Sequence, residues 1–389
     1  MKIAIVSVGN LPLPPTKGGA VENLIYHLIN ENEIQKKFEF LVFSPYEEEA
    51  IRISKSYKLT NFKYINTNNW LFRLKKICRY LIKRIFRCSI SNQYITEVKK
   101  ELIKNEVDCI VIENKPEFAL SLKNFKSTEI IQHIHNDYLS KSTKINKKIL
   151  DSSDKVIMVS DFLIKSVEWY GHSKKFKLLH NGIDTNYFNA ARWKNEAEKL
   201  REDLGIKEGD IVILYSGRLN AGKGILELIN IFKSINKQEL KLLVVGASWY
   251  SEEKENDFIK KLKKNTDDLK GKIYFTGYVA YNKMPIIYSA ADIVVVPSIA
   301  TEAAGLVAIE GRAAGKPLIV TDSGGLPEYA EASSWIIKRN KDFKDSFSKA
   351  IIETSENEKL RTRMSEYSMN NIDKFDKKNY YNNFISLLS

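Results

Sequence analysis

The sequence predicts an α/β chain built as two doubly wound parallel sheets, and three features of the residue pattern carry that expectation. Apolar runs of strand length alternate with helical stretches from Lys2 to His180. The alternation breaks at Asn181-Gly182-Ile183-Asp184 and restarts at Ile211, after a charged helical stretch from Ala190 to Leu204. Strand, crossover helix, strand is the order of a mostly parallel sheet covered on both faces. A chain of 389 residues is long enough for two such cores.

Taken in order, Lys2 to Val8 reads as a first strand, followed by a proline-rich loop ending in Lys17-Gly18-Gly19 and a helix from Ala20 to about Asn30. That is the order of a nucleotide-binding unit. Further strands are expected at 38–44, 109–112, 130–135, 156–160 and 176–180, with a less legible region after residue 44. In the second half the strands fall at 211–216, 240–245, 273–276, 293–297, 318–321 and 335–337. The expected division is 1–189 for a first, acceptor-binding domain and 190–372 for a second, donor-binding domain. The tail, about 373–389, is expected to cross back and pack on the first. Two doubly wound sheets joined near residue 190 would place ligands in a cleft, at the C-terminal ends of both sets of strands.

Composition narrows the class. Hydrophobic residues make up 43% and charged residues 28%, the balance of an ordinary globular protein. No apolar run reaches the ~18 residues of a membrane span, and Met1 to Ser7 is too short and regular for a signal peptide. The three cysteines, Cys78, Cys88 and Cys109, have no CxxC spacing, against both a disulfide framework and a zinc site.

The net charge of +13 is concentrated: residues 51–100 hold thirteen lysines or arginines against one acidic residue, Glu97. Within them, Trp70 to Cys88 reads as a basic amphipathic helix with Leu74, Ile77, Leu81 and Ile85 on one stripe and Arg73, Lys76, Lys83, Arg84 and Arg87 on another. A solvated basic face on a packed helix explains this, and so does contact with an anionic membrane surface. No recognised nucleic-acid module accompanies it, so nucleic acid is not an expected partner. The expected location is the cytoplasm, peripheral on the inner face of the cell membrane.

Chemistry concentrates between Ser298 and Tyr329. Glu302 and Glu310 flank the small-residue segment Ala303-Ala304-Gly305-Leu306, where a helix follows a buried strand. Open N–H groups and the positive end of a helix dipole suit a phosphate, and the two carboxylates suit hydroxyls, so the stretch fits a phosphorylated sugar. Arg218 and Lys223, at the end of an earlier strand and the start of its helix, can neutralise a diphosphate. No Asp-x-Asp triplet occurs, so no catalytic metal is expected, nor any cofactor.

Gly217-Arg218-Leu219 with Lys223, Glu302 and Glu310 with seven residues between, Gly-Lys-Pro317, Gly-Gly-Leu-Pro-Glu328 and His-Asn-Gly-Ile-Asp184 occur together in this one chain. Together they resemble the retaining family 4 glycosyltransferases of the GT-B fold, two Rossmann-like domains facing across a cleft. Pro15-Thr-Lys-Gly-Gly-Ala-Val-Glu22 is similar to the bacterial members that build capsular polysaccharide, exopolysaccharide and other surface glycans. The resemblance implies that Glu310 accepts hydrogen bonds from the nucleotide ribose and that Glu302 holds a hydroxyl of the donor sugar. It implies that Ala304, Gly305, Leu306 and Val307 offer backbone N–H groups beside Arg218 and Lys223, with Gly18 and Gly19 closing on the same diphosphate.

His135 resembles the family histidine that lies against the donor sugar. Strand alternation puts His133 on the same face, so only the family pattern separates the two. Two departures stand out: Gly222 where the family usually has a glutamate, and Ala303-Ala304 where an aromatic residue is usual. The implied reaction moves a hexose from a nucleotide diphosphate sugar, UDP-linked, to a hydroxyl of a glycan or lipid-linked saccharide, with retention and without a metal. A nucleotide-sugar epimerase on similar domains and a non-catalytic sugar-nucleotide-binding subunit are the rival readings. Glu113, at a strand end, is expected to be a solvated carboxylate, with a place on the acceptor side as the alternative.

Overall fold

The computed structural model describes residues 1–66, 92–125, 127–247, 257–331 and 334–388. The basic stretch Trp70 to Cys88, with Arg73, Lys76, Lys83, Arg84 and Arg87, lies outside them. The chain divides into two compact units, one running from Met1 to His180 and taking in the C-terminal residues from Tyr381, the other spanning Asn181–Tyr380.

The first unit is built on a seven-stranded sheet: β1 (Lys2–Val6), β2 (Glu39–Pro45), β3 (Thr60–Ile65), β4 (Cys109–Glu113), β5 (Glu129–Ile134), β6 (Lys155–Met158) and β7 (Phe176–Leu178). Its spatial order is β3-β2-β1-β4-β5-β6-β7, and every pairing is parallel. The central strands are apolar on both faces; Ile3, Ile5, Ile110 and Val111 are wholly buried, as a parallel sheet sandwiched by helices requires. β3 is the strand that the residue pattern hid. It lies at the sheet edge, with Lys63 and its neighbours only half-buried, so it carries little of the continuous apolar signal.

The second unit has six strands: β8 (Ile211–Ser216), β9 (Leu240–Val245), β10 (Ile273–Gly277), β11 (Ile293–Val296), β12 (Leu318–Thr321) and β13 (Trp335–Ile337). Their order is β10-β9-β8-β11-β12-β13, again with parallel pairing throughout. One core layer packs Leu214, Val294, Ile309, Val320 and Tyr329. Another packs Ile213, Ile229, Phe232, Val295 and Phe347 on the opposite face. Each such side chain contributes roughly 1.5–3 kcal/mol through burial.

In both sheets the strand order reverses once, between β1 and β4 and between β8 and β11. Loops leaving the C-terminal ends of those strands diverge to opposite faces, opening a crevice where ligands bind in folds of this kind. Among the described residues no helix is long and apolar enough to cross a membrane.

The tail has two parts. Asp373–Phe375 and the residues that follow pair with the turn after His180: Ile183 N–H donates to Phe375 at 2.9 Å, Lys377 N–H donates back to Ile183 at 2.7 Å, and the Lys377 ammonium meets Asp184 at 2.6 Å. The helix Lys377–Ser386 then delivers Tyr381 and Phe384 into the first unit. Tyr381 donates to Asn32 Oδ1 at 2.7 Å, and the ring of Phe384 lies 6.1 Å from that of His133.

Candidate active site

At the reversal point of the second sheet, β8 ends at Ser216 and the chain turns through Arg218, an exposed side chain, to Lys223. The turn is held by its neighbour: Gly222 accepts the N–H groups of Ile299 and Ala300 at 2.9 and 2.8 Å. A Cβ at 222, the position that departs from the family pattern, would lie 3.0 Å from Ala300 Cβ, close enough that the neighbouring loop would have to shift by a few tenths of an ångström. Gly224 has a φ of 69°, and a Cβ there would sit 1.9 Å from the Pro297 carbonyl oxygen. Two loops are thereby pressed together, and their contact fixes where Lys223 points.

Lys223 points at Glu302. Its Nζ is 2.6 Å from Glu302 Oε1, and the Ser298 hydroxyl donates to the same oxygen at 2.5 Å. The Glu302 backbone is fixed as well. Its N–H donates to Ser323 Oγ at 3.1 Å, and its carbonyl accepts Gly325 N–H at 2.8 Å. Gly324, with φ of 54°, approaches so closely that a Cβ would lie 2.1 Å from that carbonyl. The Ser323-Gly324-Gly325 loop is thus a buttress for Glu302.

Leu306–Ala313 forms the helix that follows, capped by Gly305. The N–H groups of Leu306 and Val307 open this helix, where first-turn N–H groups have no intrahelical partner, while that of Ala308 donates to the Gly305 carbonyl at 2.9 Å. Glu310 lies within the helix and is buried, accepting the Tyr288 hydroxyl at 2.6 Å. Burial pushes its carboxyl up to about 7, against the lowering effect of that hydrogen bond. Tyr288, on the helix Met284–Ala290, and Ser298 are supports that the residue pattern did not single out.

The first unit brings together a second set of groups at its own reversal point. Gly18 and Gly19 have φ of 72° and 110°, and the helix Ala20–Gln35 starts immediately after them. A Cβ on Gly19 would fall 2.1 Å from Glu22 Oε2, so glycine there makes room for a carboxyl folded back over the turn. Glu22 is buried, and burial, helped by the charge of Glu113, raises it to about 7 against a backbone hydrogen bond.

Glu113 corrects the expectation of a solvated carboxylate. It is wholly buried, because the β4–β5 register sets it beside His133. His133 Nδ1 lies 3.1 Å and His135 Nε2 lies 3.0 Å from Glu113 Oε2. Burial alone would raise this carboxyl; the charge and hydrogen bond of His133, with those of His135, hold it at about 2. Asn114, at φ of 49°, donates its N–H to the His133 carbonyl at 2.8 Å and accepts the His135 N–H on Oδ1 at 3.1 Å. The His133 side chain is fully enclosed, while that of His135 keeps 5% exposure. Among the described residues, Glu113, His133 and His135 form the one cluster whose donor atoms lie within 4.8 Å of one another.

Arg218, Lys223, Ser298, Glu302 and the opening of the helix at Leu306 therefore converge at one sheet reversal, and Glu310 lies in that same helix. Residues 196–371, which contain all of them, match the family described as Glycosyl transferases group 1. This stretch is a glycosyl transferases group 1 domain. Two relatives extend the likeness beyond that domain. Spore coat protein SA of Bacillus subtilis is 25% identical over 95% of this chain and 93% of its own. The lipopolysaccharide 1,2-N-acetylglucosaminetransferase of Salmonella typhimurium is 26% identical over 82% of this chain and 79% of its own. Anabaena Alr3699/HepE, whose crystal structure was solved with UDP-glucose, superposes with a TM-score of 0.76 at 18% identity, covering 100% of this chain and 99% of its own. The two Rossmann-like parallel sheets are those of the GT-B fold, and the group 1 domain supplies its second sheet. The protein is a glycosyltransferase.

Proposed function

We propose that this glycosyltransferase moves a hexose from UDP-sugar to a hydroxyl of a glycan or lipid-linked saccharide, with retention and without a catalytic divalent metal, in the synthesis of a bacterial surface polysaccharide. The observation that carries the reading is the Lys223–Glu302–Ser298 contact at the sheet reversal, with Glu310 buried in the helix that begins beside it. A cation, a hydroxyl-binding carboxylate and a helix start at one place match the parts of a nucleotide diphosphate sugar. The solved complex of Alr3699/HepE with UDP-glucose and the named activity of the Salmonella relative support the choice of donor and the kind of acceptor.

In this reading Arg218 and Lys223 neutralise the diphosphate as it leaves, together with N–H groups of Ala304, Gly305, Leu306 and Val307. Electrostatic stabilisation of developing charge by preorganised groups of this kind supplies most of the rate enhancement in many enzymes. Glu310 accepts from ribose hydroxyls, Glu302 from a hydroxyl of the sugar, and the Gly18-Gly19 turn is a further donor contact. His135, the more exposed imidazole of its cluster, acts on the transferred sugar. Attack comes from the same face as departure, with the leaving phosphate taking the acceptor proton. The protein works in the cytoplasm, held at the inner face of the membrane by the basic stretch 70–88.

Incubation with a panel of nucleotide sugars, reading nucleotide release with and without acceptor extract and with excess EDTA, tests the whole. Acceptor-dependent, EDTA-resistant release from a UDP-sugar is the expected result. Acceptor-independent epimerisation, or no turnover with any donor, would overturn it, and loss of release in EDTA would remove the metal-free part.

A further inference from the structure

The charged groups buried in the first unit form one assembly. Glu113 closes β4, His133 and His135 close β5, and Glu22 stands in the first turn of the helix after Gly19, near enough for the Glu113 charge to be felt. Burying a carboxylate without partners is costly. Glu113 avoids that cost by accepting one ring N–H on each oxygen, that of His133 on Oε1 at 3.3 Å and that of His135 on Oε2 at 3.0 Å. A carboxylate can only accept, so the nitrogen facing it on each ring must carry the proton. That condition settles the tautomers: His133 is protonated at Nδ1 and His135 at Nε2. When neutral, His135 then bears its lone pair on Nδ1.

The rings are held in place as well as in proton content. Asn114 ties the backbone of β4 to that of both histidines. The two imidazoles lie 4.1 Å apart at 51°, and Phe384 from the C-terminal helix closes on His133. A flip of the His135 ring would take a proton away from the carboxylate.

We propose that Glu113 is a positioning residue for sugar transfer, which through its hydrogen bonds with His133 and His135 locks the His135 ring in one orientation and one tautomer. His133 is the second anchor of the same carboxylate. The low position of the Glu113 carboxyl agrees with an ionised acceptor throughout the working pH range. The proposal rests on the transferase reading above, and its test separates the two.

In protein labelled with 15N in its five histidines, with resonances assigned by single His→Gln substitutions, the wild-type chain is expected to show His133 protonated at Nδ1 and His135 at Nε2. The opposite tautomer on either ring would overturn the proposal, whatever the activity. Glu113→Gln presents one acceptor and one donor in place of two acceptors, so one ring must change tautomer. Its kcat is expected to fall by about 10²-fold, the loss that misplacing a group at the reacting sugar by about 1 Å can bring, while UDP affinity by calorimetry stays within about two-fold, a change below ~0.5 kcal/mol. Glu113→Asp, which keeps the carboxylate, is expected to retain the wild-type tautomers and recover much of the rate. A Glu113→Gln enzyme with wild-type kcat, or loss of UDP binding equal to the loss of rate, would count against a positioning role. Should Glu113→Gln fail to fold, the wild-type tautomers and the Asp variant still decide the matter. A wild-type chain that turns over no donor would sink the transferase reading, and the tautomer measurement would remain a test of the lock itself.

Discussion

Lys223 Nζ lies 2.6 Å from Glu302 Oε1, so two groups assigned to different parts of the donor are paired with each other. Both side chains are largely buried, at 28% and 17% exposure. A diphosphate can recruit Lys223 only by displacing that pair, and Ser298 then becomes the main partner left to Glu302. Lys223→Ala is therefore expected to weaken UDP binding by roughly 1.5–3 kcal/mol, the worth of a charged hydrogen bond, which calorimetry would read as about a 10–150-fold rise in Kd. Ser298→Ala leaves the phosphate cation in place. It should leave UDP affinity unchanged while raising KM for the intact sugar nucleotide.

Glu310 carries a pH dependence with a definite sign. Its carboxyl is raised from 4.5 to about 7 by burial, so the folded state holds its proton more tightly than the unfolded chain does. The resulting stabilisation is fully present below about pH 4.5 and is lost as pH rises through about 7, and the shift corresponds to about 3 kcal/mol. Urea melts of wild type and Glu310→Gln, followed across pH 5 to 8, are expected to diverge: the wild type loses stability as pH rises, and the variant loses less. Donor affinity should run the other way, because an ionised carboxylate is the better acceptor for ribose hydroxyls. Parallel pH slopes for the two proteins would remove Glu310 as the source.

How much of this was legible in the sequence depended on whether a feature is local. All six strands of the second sheet could be read, since runs such as Ile293–Val296 are buried from end to end. The strand Thr60–Ile65 could not, because an edge strand with Lys63 at its middle looks like loop. Glu302, Glu310, Arg218 and Lys223 stood out through spacing and resemblance. Glu113 was misread, because a glutamate at a strand end signals solvent, and only the β4–β5 register, which pairs it with His133, shows otherwise. Tyr288 was silent for a similar reason: 22 residues separate it from Glu310, and no local pattern links them. Strand alternation did put His133 and His135 on one face, and both reach one carboxylate there.

The basic stretch at 70–88 leads to a prediction that stands apart from the chemistry. Each lysine or arginine near anionic headgroups is worth about 1 kcal/mol, and Arg73, Lys76, Lys83, Arg84 and Arg87 share one stripe in the helical reading. Flotation with vesicles containing phosphatidylglycerol should carry the protein upward at low salt and release it as ionic strength rises, with no flotation on neutral vesicles. Replacing the five cations by glutamine should abolish binding and leave transfer to a soluble acceptor intact. Equal binding to both vesicle types would show that charge is not what holds the protein there.

Two glycines with similar backbones separate strain from packing. Gly171 and Gly224 have φ of 77° and 69°, yet a Cβ on Gly171 would meet nothing within 4 Å while one on Gly224 would lie 1.9 Å from the Pro297 carbonyl oxygen. Gly171→Ala thus bears only the cost of a left-handed residue, about 1–2 kcal/mol. Gly224→Ala bears that cost plus the displacement of one loop from the other, bringing the total to about 3 kcal/mol or more. Thermal melts should rank the two in that order. Because Gly224 adjoins Lys223, and the displaced loop leads into Ser298 and Glu302, Gly224→Ala should also weaken UDP binding, whereas Gly171→Ala should leave it unchanged. Equal melting points for the two variants would mean that the contact between the loops is not what fixes the position of Lys223.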